Sequence, residues 1–230
     1  MANEIINYLE MCQREGMMSL QKGMNYRLGG NHSVILMSMR ANAPYQDRVE
    51  DDGSTIIYEG HDAPKNLLNP SPKTIDQPGS TPTGKPTENG KFHKAAQDAK
   101  AGLRPFERVR VYEKIKDGIW SHNGVFHLVD SWLEEHYGRK VFKFKLAAVE
   151  GEEDFSQPVP EKPQVRRVIP TWVKLEVWKR DGGKCVKCNT TEDLHFDHII
   201  PWSKGGSSST PENVQLLCGR HNIQKHAKIE

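Results

Sequence analysis

The sequence predicts an α+β fold in which a sheet-dominated N-terminal region precedes a small C-terminal region stabilised by a metal. Strands are predicted where apolar residues alternate with polar ones or form short β-branched runs, in residues 33–39, 55–58, 108–115 and 141–146. Helical spacing of apolar residues predicts helices over residues 2–14, 92–101 and 171–180. Several strands with few helices favour a sheet-dominated unit of about the first 148 residues.

Composition excludes a membrane protein and favours the cytoplasm. Hydrophobic residues make up 36% and charged residues 27% of the 230 residues, an ordinary balance for a soluble domain. The longest apolar runs are too short to cross a bilayer, and the N-terminus lacks the basic-then-apolar pattern of a secretory signal. Residues 161–230 carry 12 Lys and Arg against 8 Asp and Glu, a mildly basic balance that suits a phosphate-binding surface or simple solvation.

A change of composition divides the chain. Residues 64–90 are rich in Pro, Gly, Ser, Thr and Asn and predict a long loop. Residues 150–163 are acidic and then proline-rich (EGEEDFSQPVPEKP), which is typical of an extended, semi-rigid linker. We therefore expect an N-terminal domain over residues 1–148, a linker over 149–165 and a C-terminal domain over 166–230.

Three of the four cysteines fall in the last third of the chain in a metal-ligand pattern. Cys185-x2-Cys188 is followed, after 29 residues, by Cys218-x2-His221. Two such pairs supply the four ligands that a structural Zn²⁺ holds in a tetrahedron. His226 lies close enough to replace His221 as the fourth ligand. The remaining cysteine, Cys12, lies among apolar residues and is expected to be a buried thiol.

The segment around the second pair resembles the HNH endonuclease motif. Residues 195–225 have the sequence HFDHIIPWSKGGSSSTPENVQLLCGRHNIQK, and the features that match in order and spacing are Asp197-His198, Pro201, Gly205-Gly206, Asn213, Leu216-Leu217-Cys218, Asn222 and Lys225. The resemblance covers about residues 166–228 and implies a ββα-metal nuclease domain stapled by zinc.

The HNH resemblance assigns roles to individual residues. It implies that His198 is the general base and that Asn213 orients the surrounding loop. It also implies that Asp197 and Asn222 hold a catalytic Mg²⁺ or Mn²⁺. Three further side chains are candidate phosphate contacts, with structural or solvated roles as the alternative: His195, Arg220 and Lys225.

The N-terminal region resembles SRA (YDG) domains over about residues 15–148. Residues 58–62 have the sequence YEGHD, and further matching segments follow the same order, at residues 43–47, 76–78, 87–92, 109–114 and 118–120. This resemblance implies a curved sheet or barrel with flanking helices, which flips a modified cytosine into a pocket. It implies that Tyr45 and Tyr58 stack on the base and that Asp47 accepts a hydrogen bond from the cytosine N4 amino group. Without the resemblance, these tyrosines would be core or strand-edge residues and Asp47 would cap a turn.

Together the two resemblances imply a modification-dependent, type IV-like restriction endonuclease of bacteria or phages, acting on double-stranded DNA that contains 5-methylcytosine or 5-hydroxymethylcytosine. One HNH site cuts one strand, so cleavage of both strands favours a homodimer. Two alternatives remain open: a reader of modified DNA with a decayed nuclease, and a nicking or homing-type nuclease that does not sense modification. Equal cleavage of modified and unmodified DNA would favour the last.

Overall fold

The computed structural model describes residues 3–50, 53–66, 70–149, 168–201 and 204–225. Its helices are α1 (Tyr8–Arg14), α2 (Glu88–Lys100), α3 (Thr171–Arg180) and α4 (Gly219–Lys225). Its strands are β1 (Glu4–Ile6), β2 (Met24–Leu28), β3 (His32–Met37), β4 (Arg48–Glu50), β5 (Thr55–Glu59), β6 (Glu107–Lys116), β7 (Ile119–His136), β8 (Arg139–Ala148), β9 (Leu194–His198) and β10 (Val214–Cys218). Among the helices of these residues, none combines the length and hydropathy needed to span a bilayer.

The ten described strands form one hydrogen-bonded sheet. Its main path runs β10-β9-β1-β7-β6-β3-β2, and β8, β5 and β4 extend it from the far half of β7. The pairings between the described strands are antiparallel except for β3 with β6. Each of the four predicted strands overlaps a strand of this sheet, so the sheet-dominated α+β class is confirmed.

The long strand β7 curls the sheet. Its residues 119–128 pair with β6, whereas residues 126–136 pair with β8. Because the two halves have different neighbours, the sheet closes around an apolar core against which α2 packs. The main members of that core are Tyr58, Phe92, Ala95, Ala96, Phe126 and Phe144.

Helix α2 begins earlier than predicted because of its cap. Thr87 lies in extended backbone and its hydroxyl accepts a hydrogen bond from the Gly90 N–H, which satisfies one of the free donors of the first turn. The prediction started the helix at Phe92, its first buried apolar residue. Helix α3 has the predicted bounds.

The predicted N-terminal helix is wrong for residues 4–6, which form β1. Asn7 starts α1 through a capping box with Glu10, so the three residues before it are free to pair as a strand. Burial confirms the buried-thiol prediction for Cys12, which packs in the apolar cluster under α1.

Strand β1 joins the N-terminal and C-terminal parts of the sheet. It pairs antiparallel with β7 on one side and with β9 on the other, where Glu4 is opposite His195. Side chains alternate along a strand, and the two isoleucines of β1 use both faces. Ile5 packs into the core of the C-terminal region, and Ile6 packs into the core under α1.

A buried polar cluster lies where α3 meets β6 and β7. We call it the junction cluster: Glu113, Ser121, Asn123, Thr171 and Lys174. The Lys174 ammonium donates to Glu113 Oε2 and to Asn123 Oδ1, both at 2.7 Å, and its side chain is 0% exposed, as is that of Glu113. Thr171 Oγ1 donates to the other carboxylate oxygen. Burial lowers the pKa of Lys174, and the Glu113 carboxylate acts in the opposite direction.

Asn123 reaches this cluster because of a β-bulge. Val111 is paired with Gly124 and Tyr112 with His122, so Asn123 has no residue opposite it. Gly124 adopts a φ of 100°, a conformation that glycine reaches without steric cost. The bulge turns the Asn123 amide inward, where it donates to Glu113 Oε2 at 3.0 Å.

The expected linker over residues 149–165 lies outside the described residues except for Val149. The division into domains therefore stays a prediction. The described residues show that the parts on either side of the linker share one sheet and a buried junction.

We expect Lys174→Met to lower the free energy of unfolding by about 3–5 kcal/mol, because it leaves the Glu113 carboxylate buried without its ammonium partner. Urea unfolding followed by circular dichroism measures the change. The free energy of unfolding of the double variant E113Q/K174M should fall much less, since this variant leaves no unpaired buried charge.

The matched control is E176Q/K179M, which makes the same two substitutions on the exposed face of α3 and should stay within about 0.5 kcal/mol of wild type. A loss of less than about 1 kcal/mol for Lys174→Met would contradict the buried ion pair.

Candidate functional site: a ββα centre and a base-sized cavity

The C-terminal strands and α4 form a ββα unit that places the predicted catalytic pair. Strands β9 and β10 are antiparallel, with His198 opposite Val214 and Asp197 opposite Gln215. Helix α4 follows β10 directly. His198 is the last residue of β9, so the pair lies at a strand end, where adjacent side chains can reach one site.

His198 is held through one ring nitrogen. Its Nε2 lies 2.9 Å from the Ser208 hydroxyl, and Ser208 is buried. When Nε2–H donates to that hydroxyl, the Nδ1 lone pair is available to accept a proton. Burial lowers the pKa of His198, Asp197 raises it and Lys225 lowers it, with a net shift downward that favours the neutral imidazole a general base requires.

Lys225 contacts the catalytic pair from inside the protein. Its side chain is 1% exposed, its ammonium lies 2.9 Å from Asp197 Oδ2, and it also donates to the His198 carbonyl. A buried ammonium with these partners does not face a DNA backbone. We therefore reassign Lys225 from a phosphate contact to a residue that positions Asp197.

The Asp197 and Asn222 side chains fit a hard divalent cation. Asp197 Oδ2 is buried against the Lys225 ammonium, and the aspartate side chain as a whole is 16% exposed. Asn222 precedes Lys225 by three residues on α4 and so shares the helix face that points toward Asp197. Carboxylate and amide oxygens are the ligands that Mg²⁺ and Mn²⁺ accept.

Asn213 fixes the loop between β9 and β10. Its amide oxygen accepts from Ile200 N at 2.8 Å, and its amide nitrogen donates to Ile200 O at 3.1 Å and Ser207 O at 2.9 Å. Gly206 lies so close that an added Cβ would be 1.8 Å from Ile200 O and 2.8 Å from Asn213 Nδ2. These contacts hold the loop that carries Ser208 against His198.

The other two candidate phosphate contacts lie in different environments. His195 is 1% exposed, and its Nε2 lies 3.0 Å from Asp193 Oδ1, so the structural alternative describes it better. Arg220 is exposed in the first turn of α4 and stays a candidate phosphate contact.

The four predicted zinc ligands converge. The ligand atoms of Cys185, Cys188, Cys218 and His221 all lie within 4.8 Å of one another. The sulfurs of Cys188 and Cys218 are 3.8 Å apart, and His221 Nδ1 is 3.3 Å from the sulfurs of both Cys185 and Cys218. Tetrahedral zinc with Zn–S bonds of about 2.3 Å places two sulfurs about 3.8 Å apart, so the cluster could bind such a metal. His226, the alternative ligand, lies outside the described residues.

Backbone hydrogen bonds favour the thiolate form of Cys185. Burial raises the pKa of this thiol, but N–H groups of Cys218, Lys187 and Cys188 point at the sulfur and outweigh burial, so the pKa falls to about 6. A metal-binding cysteine must be deprotonated, and this environment suits that state.

The three predicted base-pocket residues line one cavity. It measures about 510 Å³, and Tyr45, Asp47 and Tyr58 are among the residues on its wall. Lys22 and Lys114 also line it and bring positive charge to it. A cavity of this size accommodates a nucleobase.

Asp47 ties the residue after β3 to the end of β5 at the cavity wall. Its carboxylate accepts hydrogen bonds from Ser38 N at 3.2 Å and from Glu59 N at 3.0 Å. Part of the side chain remains open to the cavity. Burial raises the pKa of the carboxyl to about 7 against these two backbone bonds, and the charge of Glu59 raises it further while Lys143 lowers it.

His61 is the pocket residue to which the sequence assigned no role. Its ring stacks on Tyr45 with centroids 5.2 Å apart, and its Nε2 lies 2.9 Å from the Tyr58 hydroxyl. Gly23 packs against both groups, since an added Cβ would be 2.7 Å from His61 Nε2. The Lys73 ammonium also contacts the Tyr45 ring, 4.7 Å from its centroid, so a base that stacks on Tyr45 must replace one of these neighbours. His61 was visible in the YEGHD segment, but its partners became apparent only when β5 was placed beside the cavity.

Comparison with known proteins bears on both halves of the chain. Residues 185–228 match the model of the HNH endonuclease family, which confirms the C-terminal resemblance and supports a nuclease. A search of curated proteins finds no match.

Several solved structures resemble this chain. The SUVH5 SRA domain in complex with hemimethylated CG DNA is 24% identical, with 68% of this chain and 93% of that chain covered and a TM-score of 0.43. The modification-dependent TagI restriction endonuclease is 16% identical, with 97% and 76% covered and a TM-score of 0.43. The type IV phosphorothioation-dependent restriction endonuclease ScoMcrA is 18% identical, with 99% and 55% covered and a TM-score of 0.43.

We expect Asp47 to make folding stability depend on pH. Because the folded-state pKa, about 7, lies above the ordinary value of 3.8, the protonated carboxyl stabilises the fold at acid pH. That contribution is fully present below about pH 4 and is lost as the pH rises through about 7. The unfolding free energy of wild type should therefore fall relative to Asp47→Asn between pH 4 and pH 8, on the order of 1–3 kcal/mol because the cavity keeps part of the carboxyl solvated.

Urea unfolding of both proteins at several pH values measures this difference. The asparagine of the variant cannot accept both backbone hydrogen bonds, so the unfolding free energies of the two proteins differ by an amount that does not depend on pH. The change of this difference with pH is therefore what reports the pKa of Asp47. A difference that stays flat from pH 4 to pH 8 would contradict the raised pKa.

Proposed function

We propose that this protein is a modification-dependent restriction endonuclease that hydrolyses phosphodiester bonds in double-stranded DNA containing 5-methylcytosine or 5-hydroxymethylcytosine. The proposal rests on the combination of two features in one chain. A cavity that can accommodate a base lies in the N-terminal part, and a ββα centre with His198 beside Asp197 belongs to the same hydrogen-bonded sheet. Either feature alone would fit a binding module or an unselective nuclease.

In this proposal the N-terminal cavity reads a flipped cytosine. Tyr45 offers aromatic surface for stacking, and Asp47 accepts from the N4 amino group. The expected stacking role does not suit Tyr58, because its side chain is 1% exposed and packs in the core, so that it reaches the cavity wall through its hydroxyl contact with His61. His61 links the two tyrosines and sets the shape of the cavity. A C5-methyl group adds only about 0.8 kcal/mol of burial, so discrimination depends on pocket fit and on the cost of flipping as well.

The C-terminal centre performs the hydrolysis. His198 Nδ1 takes a proton from a water molecule whose oxygen forms a bond to phosphorus, while the bond from phosphorus to the leaving sugar oxygen breaks. Ser208 and Asn213 keep the imidazole and its loop in place, and Arg220 contacts a neighbouring phosphate. Asp197 and Asn222 would hold a Mg²⁺ or Mn²⁺ ion, which would supply positive charge for the transferring phosphate and the leaving oxygen.

Two assignments complete the proposal. Cys185, Cys188, Cys218 and His221 hold a structural Zn²⁺ that stabilises the small C-terminal unit. The active form is a homodimer, because two centres related by a two-fold axis meet the two antiparallel DNA strands equivalently. The protein acts in the cytoplasm.

We expect the wild-type protein to cut plasmid DNA that carries 5-methylcytosine or 5-hydroxymethylcytosine in the presence of Mg²⁺ or Mn²⁺, and to leave the matched unmodified plasmid intact. His198→Ala should abolish cleavage but keep binding to modified DNA, because the base acts only in the chemical step. Gel analysis of digests and band shifts on matched duplexes measure the two properties, with EDTA as the metal control.

Equal cutting of both plasmids would refute modification dependence, and cleavage within a few-fold of wild type by His198→Ala would refute the assigned base. The same gels test the dimer. Linear product at a rate that rises more steeply than first order in enzyme supports it, whereas accumulation of nicked circles at a rate linear in enzyme contradicts it.

We expect elemental analysis of the purified protein to find one zinc per chain. His221→Ala should lose most of the metal and His226→Ala should retain it, because His221 Nδ1 lies against two of the three sulfurs. Folded protein without zinc would overturn the structural role, and the reverse behaviour of the two histidine variants would move the fourth ligand to His226.

A further inference from the structure

We propose that the distance from the modified cytosine to the cut is set by a rigid junction between reader and nuclease, and not by the segment over residues 150–167 that connects them. This inference rests on the proposed function. Here the reader is the part over residues 3–149, and the nuclease is the part over residues 168–225.

The first support is backbone continuity across the junction. Strand β1 belongs covalently to the reader, yet Glu4 is opposite His195 of β9, and Phe196 N donates to Asn3 O at 3.0 Å. His195 is two residues from the Asp197 carboxylate. The nuclease strand that carries the catalytic pair is therefore an extension of the reader sheet.

The second support is a close backbone contact between the start of the nuclease and the reader loop before β5. Val168 N donates to Gly53 O at 2.6 Å. A Cβ on Gly53 would be 2.3 Å from Val168 O, and its φ is +95°, so glycine is the residue that permits this approach. Val168 itself packs into the main core of the reader.

The third support is the chemistry of the junction cluster. Glu113 and Asn123 come from the reader, and Thr171 and Lys174 come from the nuclease. Buried charges that satisfy one another tolerate little displacement, since sliding the helix would leave them without partners. Such a cluster specifies one arrangement of the two parts.

One residue of the base cavity and one residue next to the general base line a common cleft at this junction. The cleft measures about 450 Å³; the reader contributes Asp47, Arg48 and Glu50 to it, and the nuclease contributes Thr171, Trp172 and Ser208. Asp47 also lines the base cavity, and Ser208 contacts the His198 imidazole. A rigid junction would therefore fix the span between the base-reading residue and the general base.

The test lengthens the connection without touching the junction. A Gly/Ser insert of about ten residues within residues 151–165 would give a tethered nuclease an added reach of about 18 Å. That reach corresponds to about five nucleotides at about 3.4 Å per nucleotide. Cut positions are mapped by sequencing the ends produced from a duplex with one modified cytosine.

With a rigid junction, the dominant cut made by the variant with the insert should lie within about one nucleotide, or about 3.4 Å, of the wild-type cut. Cuts that spread outward as the insert lengthens would overturn the inference. Lys174→Glu places a second carboxylate against Glu113 and should release the nuclease, so the same insert should broaden the cuts only in that background. The control is Lys179→Glu on the exposed face of the same helix, which should behave as wild type.

A measurement without DNA separates this inference from the proposed function. A protease site placed within residues 151–165 allows the purified chain to be cut there, and the two pieces should then elute together in size-exclusion chromatography. Pieces that separate under native conditions would overturn the rigid junction whether or not the protein cleaves DNA. Joint elution of a protein that never cuts modified DNA would leave the junction standing and refute the function.

Discussion

The arrangement of this protein depends on the pairing of β1 between β7 and β9. Three residues, Glu4–Ile6, complete the reader sheet on one side and carry the nuclease hairpin on the other. Ile5 and Ile6 point to opposite faces, so one short strand contributes to the cores of both parts. Burial of the Ile6 side chain is worth about 1.5–3 kcal/mol, the partly buried Ile5 contributes less, and the arrangement is reinforced by the charged contacts of Glu113 with Lys174.

Polar groups with satisfied partners hold the geometry at three places in the described structure. The junction cluster fixes α3 against the reader, Lys225 fixes Asp197 at the end of β9, and the half-buried Asn213 fixes the loop that brings Ser208 to His198. The junction cluster and Lys225 are costly to bury alone and are satisfied by their neighbours, which makes displacement from the observed arrangement unfavourable. In the reader, Asp47 has a comparable structural role because it binds backbone N–H groups of two segments while it faces the cavity.

The sequence predicted those parts of the fold and of the candidate sites that depend on residues close together in the chain. Local patterns predicted α3, the central strands and the zinc ligands, because alternation and x2 spacing express geometry over a few residues. The same patterns misassigned residues 4–6, since a three-residue strand is defined by its distant partners on β7 and β9 and not by its own periodicity. Ser208 could not be distinguished from Ser207 and Ser209 in a run of three serines, although it alone among them is buried against His198. Lys225 looked like a surface cation because its burial depends on the packing of α4 on β9.

In the proposed mechanism, one rigid body both reads the base and cuts the strand. Single-turnover digestion of a duplex with one modified cytosine, with every cut mapped to the nucleotide, tests this arrangement. A rigid reader–nuclease unit predicts one dominant cut position on each strand at a constant offset from the modified base, and no cut in the unmodified duplex. A broad distribution of cuts around the base, or the same cuts in both duplexes, would contradict the account.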